Sequence, residues 1–190
     1  MSNIDSALTM GPEQEKELVE AVLNNDKRAF EVLVGQYERL ILHIIFPVIK
    51  SNEDRKDLLQ EVLIRIYQNL GMFRFKSKLS TWIGNIAYNA TINYVKKKKL
   101  PLASPENLNQ SEDWVIERLN PEQEFIAREL EATVFGVMGK LPPIQQMVLR
   151  LFHHDEMTLD EICEVTKLPV NTVKSHLFRG RLAIKNSIQQ

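Results

Sequence analysis

One cysteine, seven glycines and no long apolar run in 190 residues close off several classes of protein. Cys163 alone cannot form an internal disulfide, nor supply the Cys and His cluster of a structural zinc site. No stretch of about 18 uncharged apolar residues occurs, and the opening MSNIDSALTM has no basic segment leading into an apolar one. Neither a membrane span nor a secretory leader is expected, and the chain reads as one of the cell interior. There is no glycine-rich phosphate loop, no nucleophile elbow and no convincingly spaced carboxylate pair, so no cofactor, metal or catalytic set is expected. His153-His154-Asp155-Glu156 comes nearest to a ligand set, but neighbours on a helix face different ways and no second cluster completes it. A surface or helix-end role is its reading. With 44% hydrophobic and 26% charged residues, the chain has the content of one ordinary domain or two small helical ones, not of an extended disordered protein.

The 24 basic and 25 acidic residues nearly cancel, yet they are segregated. Residues 71–100 hold seven Lys or Arg and no acid, residues 166–190 hold five and no acid, and residues 101–135 hold eight acids against Arg118 and Arg128. Two separated basic patches suit two places on one polyanion, although lysine-rich solvated helix faces produce the same pattern.

Hydrophobic spacing is helical throughout. Asp26 to Ile45 carries a three-and-four stripe of Phe30, Leu33, Val34, Tyr37, Leu40, Ile41, Ile44 and Ile45, ended or kinked by Pro47. Ser51-Asn52-Glu53-Asp54 resembles a capping box for a second helix, with Leu58 to Leu70 apolar and Gly71 expected as its left-handed C-terminal residue. Ser80 or Thr81 is expected to open a third, striped by Trp82, Ile83, Ile86, Ala87, Ala90 and Tyr94. Residues 100–120 have two prolines and no period and read as a linker. Asn120-Pro121-Glu122-Gln123 then starts a helix that Leu141-Pro142-Pro143 breaks. A helix over about Ile144 to Phe152 follows. No alternating strand pattern appears. The expected fold is all-α: an extension at 1–25, a helical domain at 26–99, a flexible acidic linker at 100–120 and a helix-turn-helix domain at 121–190.

Thr158 to Lys185 carries the helix-turn-helix pattern. Thr158-Leu159-Asp160-Glu161 is a capping box, Ile162 and Cys163 face inward, Leu168 plugs the turn, Pro169 separates the helices, and Val173 and Leu177 seat the second helix. Asn171, Thr172, Lys174, Ser175, Phe178 and Arg179 are left outward, a mixture that can pair with guanine edges or phosphates and touch a thymine methyl. A plain helical hairpin with a charged outer face is the alternative. Upstream, Gly71 to Lys99 interleaves Phe73, Phe75, Trp82, Tyr88 and Tyr94 with cations, the chemistry that stacks and neutralises single-stranded nucleic acid. Trp82 and Tyr94 lie on the apolar stripe and read as core, whereas Phe73, Lys76, Lys78 and Asn89 are candidates for contact.

Asp57-Leu58-Leu59-Gln60-Glu61 with Arg65 and Tyr67, then Phe73, then Ser80-Thr81-Trp82-Ile83 with Ile86-Ala87 and Asn89, then Thr158 to Lys185, together resemble bacterial RNA polymerase sigma factors. The length and the short linker resemble the extracytoplasmic-function group. The resemblance covers about residues 26–99 and 121–187.

That resemblance implies a promoter-specificity subunit, not an enzyme, with the polymerase supplying the chemistry. It implies that Asp57, Gln60, Glu61, Ile64 and Arg65 dock on the core polymerase. Phe73, Lys76, Lys78, Asn89, Asn93 and Lys96 would meet the melted −10 strand, and Asn171, Thr172, Lys174, Ser175, Phe178 and Arg179 the −35 duplex. The acidic linker would thread the polymerase cleft along the path later taken by RNA. The implied partners are core polymerase, promoter DNA and an anti-sigma factor, with no membrane contact of the chain's own, in the bacterial cytoplasm. Phe75 stands where the family commonly has a small residue and His176 where it often has a basic one, and no appended C-terminal sensory domain is expected. A stand-alone helix-turn-helix regulator is the competing reading, though it leaves the 73–99 segment unexplained.

Overall fold

The computed structural model describes residues 10–98 and 136–188; the expected linker at 100–120 and the helix start at 120–123 lie outside them. Within those residues the elements are α1 (Pro12–Leu23), α2 (Lys27–Ile45), α3 (Asn52–Asn69), a 3-10 turn over Leu70–Met72, α4 (Leu79–Lys98), α5 (Pro143–His153), α6 (Leu159–Thr166) and α7 (Val170–Ile188), and residues 136–140 are also helical. No strand occurs among the described residues. The fold is all-α.

The caps explain most boundaries. The Asp26 carboxylate accepts the Arg28 and Ala29 amides at 2.9 and 3.3 Å and opens α2. Ser51 Oγ accepts the Asp54 amide at 3.3 Å and opens α3, with Glu53 and Asp54 in the first turn where the helix dipole favours acids. Pro143 sits at the start of α5 where no amide is needed, and the buried Gln146 amide donates to the Leu141 carbonyl at 2.8 Å across the break.

Within the 1–25 extension α1 packs on the first module through the buried Leu18, Val19 and Val22. Two local expectations are corrected. Gly71 is not left-handed. Helix α3 tightens into a 3-10 turn instead, with the Phe73 amide donating to the Leu70 carbonyl at 3.0 Å and Leu70 buried. Helix α4 starts at Leu79 rather than at Ser80 or Thr81: the Trp82 amide donates to the Lys78 carbonyl, and Thr81 is buried inside the first turn.

The two modules share one apolar interior. Leu33, Ile41, Ile44, Leu58, Ile66 and Ile83 fill the N-terminal part, and Met147, Leu151, Ile162, Val165, Val173 and Leu177 the C-terminal part. Helix α6 crosses α4 at Gly84, where a Cβ would stand 2.9 Å from Val165 Cγ2. Only a residue without that atom lets the helices approach so closely. At Gly180 of α7 a Cβ would meet the Leu149 side chain of α5 at 2.5 Å, so Leu149 would have to shift to admit one.

Candidate nucleic-acid interface

The helix-turn-helix forms as its sequence dictates. The Thr158 and Glu161 side chains exchange hydrogen bonds with each other's backbone amides at 3.3 and 2.8 Å, closing the capping box of α6. Lys167 takes the left-handed conformation at φ 60° that ends the helix, and the Pro169 carbonyl accepts the Thr172 and Val173 amides as α7 begins. Val173 and Leu177 are buried, which rotates Asn171, Lys174, Phe178 and Arg179 outward and leaves Thr172 and Ser175 half-buried. Ser175 Oγ already donates to the Asn171 carbonyl at 2.8 Å, so its lone pairs are what remain for a ligand. Phe178 is 68% exposed, and neither Lys174 nor Arg179 has an ion-pair partner among the described residues. Arg181 is fixed instead: it donates to His153 Nε2 at 3.2 Å and stacks over Phe152 at 5.0 Å. Burial and then Arg179 hold the His176 imidazole below its ordinary pKa, so this position contributes no dependable positive charge.

The N-terminal basic segment is laid out along α4. Trp82, Asn85, Asn89, Asn93 and Lys96 recur at three- and four-residue steps and share one side of the helix, where Asn89, Asn93 and Lys96 are exposed. Asn85 was not among the sequence candidates. Its amide donates to the Thr81 carbonyl at 3.2 Å, while its Oδ1 is buried without a partner among the described residues. Lys76 is exposed. The Phe73 ring is not offered to solvent: it is buried, 4.6 Å from the Phe75 ring and 5.4 Å from Trp82, so it supports neighbours rather than presenting a face. The exposed ring of this loop is Phe75. Lys78 is engaged by Glu161 of α6 at 2.9 Å. Burial raises the Glu161 pKa, but the Thr158 amide and Lys78 together outweigh it and hold the carboxyl low. At the far end of α4, Lys98 pairs with Asp54 at 2.8 Å and lies 4.9 Å from the Tyr94 ring centroid, tying α4 to the start of α3. That lysine is structural.

On α3, Asp57, Gln60, Glu61 and Ile64 are exposed along the outer side, and Arg65 forms an ion pair with Glu61 at 2.6 Å. Ile64 is 56% exposed, and the exposed Tyr67, whose hydroxyl donates to Asn25 Oδ1 at 3.3 Å, lies one turn on. Ile64 is thus an exposed aliphatic side chain set among the exposed carboxylates of Asp57 and Glu61.

The contacts between the modules were not legible in the sequence. His43 of α2 and Asp155, in the loop after α5, meet at 2.8 Å (Nδ1 to Oδ2) with side chains 6% and 5% exposed. Beside them Arg39 donates to His154 Nδ1 at 3.3 Å, and burial, then His43 and Arg39, hold the His154 pKa below its ordinary value. The His153–Glu156 run reads from sequence as a surface or helix-end feature, and that expectation is corrected for Asp155, whose side chain is buried against His43. Among the described residues no group of three or more His, Cys, Asp or Glu is placed to hold a metal ion, and no helix is long and apolar enough to cross a membrane.

Comparison with characterised families matches sigma-70 region 2 over residues 33–100 and sigma-70 region 4 over residues 136–184. The chain is 34% identical to the RNA polymerase sigma-H factor of Pseudomonas aeruginosa over 183 residues, covering 93% of this chain and 95% of that protein. It is 32% identical to the ECF RNA polymerase sigma factor SigW of Bacillus subtilis, covering 92% and 96%. It is 33% identical to the ECF RNA polymerase sigma-E factor of Escherichia coli, covering 90% and 93%. Among solved structures it resembles CnrH in complex with the cytosolic domain of CnrY, with a TM-score of 0.59 at 19% identity over 92% of this chain and 97% of that one.

Proposed function

The chain belongs to the sigma-70 family of RNA polymerase subunits, in its extracytoplasmic-function group, and from that premise we propose how its residues divide the work. It is a promoter-specificity subunit: it binds core RNA polymerase, recognises the −35 and −10 elements, promotes melting and initiates transcription of a regulon. In our reading α7 enters the −35 major groove with Lys174, Phe178 and Arg179 toward base edges and phosphates, and Asn171, Thr172 and Ser175 at the groove wall. The loop from Phe73 to Lys78 and the Asn89, Asn93 and Lys96 side of α4 receive the melted −10 strand, with Phe73 acting through the ring it supports. Asp57, Gln60, Glu61, Ile64 and Arg65 dock on the core enzyme, and the acidic segment 100–120 takes the path of the nascent RNA. The chain brings no chemistry of its own and works in the cytoplasm with the polymerase. CnrH was solved with the cytosolic domain of CnrY, and an anti-sigma factor is the protein partner we propose here.

The observation that carries this reading is the pair of acid-free basic faces, one on each module, both presenting exposed polar and cationic side chains. Arg179→Ala or Lys174→Ala is expected to cost about 1 to 3 kcal/mol of −35 duplex recognition. Asn89→Ala is expected to spare closed-complex binding and reduce permanganate-reactive open complex. Unchanged promoter preference in the first pair, or equal loss of closed and open complex in the third variant, contradicts the division.

A further inference from the structure

Helix α1 carries none of the residues placed at promoter DNA or at core polymerase, yet it touches both ends of the loop that precedes α4. At its C-terminal end Leu23 lies against Gly71, where a Cβ would stand 3.6 Å from Leu23 Cδ2. About two turns earlier the half-buried Glu15 reaches the start of α4, and its Oε2 accepts the Leu79 amide at 3.4 Å. From Glu15 to Leu23 the helix rises about 12 Å at 1.5 Å per residue, so α1 brackets residues 72–78. Leu18, Val19 and Val22 anchor that bracket in the core.

The residue before α4 is Lys78, whose ammonium cannot accept a hydrogen bond, and no acid occurs from Gly71 to Lys98. Glu15 brings to the head of α4, from 64 residues away in sequence, the carboxylate that a helix amide and the helix dipole favour there. The carboxylate is itself aimed: the Tyr37 hydroxyl of α2 donates to Glu15 Oε1 at 3.3 Å. Burial, then the charge of Glu15, raises the Tyr37 pKa, so the hydroxyl keeps its proton and stays a donor.

We propose that Glu15 is a positioning residue for the −10 interface, capping α4 from α1 and holding residues 73–78 where the melted strand is received. The inference rests on the assignment of that loop and of the Asn89 side of α4 to the −10 strand. Without the cap the loop and the first turn of α4 sample other arrangements, and apparent affinity falls with the fraction of chains still in place. The sign of the effect is diagnostic. On charge alone, deleting an acid beside a basic surface tightens binding to a polyanion, whereas loss of positioning weakens it.

The test uses holoenzyme, assembled from core polymerase and the full chain, on a promoter fork whose −10 element is single-stranded. Glu15→Ala should bind the fork about fivefold more weakly, the equilibrium equivalent of a lost helix cap, with core-polymerase affinity unchanged. Tyr37→Phe should weaken the fork by less, and adding it to Glu15→Ala should cost nothing more, because the hydroxyl acts through the carboxylate. Glu13→Ala removes the same charge from an exposed position of α1 and should bind the fork no more weakly than wild type. If Glu15→Ala binds the fork as well as wild type or better while Asn89→Ala weakens it, the positioning role is refuted and the −10 assignment stands. If neither variant changes fork binding, both fail. A parallel fall in core-polymerase affinity in Glu15→Ala, or equal weakening in Glu13→Ala, also overturns the proposal, since Glu15 then serves only the fold of the module or the general charge of α1.

Discussion

Asp155→Ala removes the partner of a hydrogen-bonded pair that joins the modules with both side chains almost fully buried. The His43 Nδ1 to Asp155 Oδ2 distance is 2.8 Å, and the side chains are 6% and 5% exposed. Removing one partner leaves the other buried and unsatisfied, which costs about 1 to 3 kcal/mol. Here the upper part of that range is too high: Asp155 Oδ1 is already buried without a partner, and truncation relieves that penalty. About 1.5 kcal/mol is the working figure, or roughly tenfold at 1.4 kcal/mol per decade. The loss falls on docking rather than on either module's core, since the pair joins α2 to the loop after α5. The surviving Lys78 to Glu161 bridge is 61% exposed on the lysine side, and such a pair adds only about 0 to 1 kcal/mol. Hydrogen exchange should show lost protection in α6 and along the facing side of α4, with α2 and α3 interiors still protected. Unchanged exchange in α6, or uniform loss across both modules, would refute the reasoning.

Ile64→Glu is expected to weaken core-polymerase binding at least about tenfold, because burying an aliphatic side chain of this size is worth roughly 1.5 to 3 kcal/mol. Its melting temperature should stay near wild type since Ile64 is 56% exposed; equal core affinity in a pull-down titration contradicts the docking assignment of α3. Burial and neighbouring cations hold His153, His154 and His176 below 6.5. The unfolded chain therefore binds more protons than the folded one below that pH, and stability is full above 6.5 and falls as pH drops beneath it. Denaturant unfolding at pH 7.5 and 5.5 should place the lower midpoint at pH 5.5, and equal midpoints contradict the histidine environments. The further loss from Asp54, whose pKa the Lys98 hydrogen bond lowers, and from Glu161, belongs to the more acidic carboxylate range.

The helices of both modules could be read from spacing and caps because those signals are local: Ser51 and Thr158 cap the helices they precede. The reading face of α7 was legible for the same reason, since two buried residues four apart fix the rotation of the helix. The missed elements depended on tertiary contacts. α1 is short and polar on one side, and only its burial of Leu18, Val19 and Val22 reveals it as part of the core. Gly71 looked like a left-handed stop because glycine permits one, but Leu70 was drawn into the core and the chain tightened into a 3-10 turn. Sequence favours Phe73 over Phe75 as the contact ring, and the structure reverses the exposure of the two: Phe73 is buried and Phe75, at φ 55°, is exposed. His43 and Asp155 lie 112 residues apart, and no periodicity links them.

Transcription in vitro tests the central claim most directly: purified protein with sigma-free core polymerase and a library of genomic fragments, with the 5′ ends of the transcripts sequenced. The account predicts discrete starts sharing two upstream motifs at fixed spacing, the upstream one lost with Arg179→Ala and Lys174→Ala combined. Absence of core binding and of transcripts, alongside tight duplex binding by the protein alone, would contradict it and identify a stand-alone regulator.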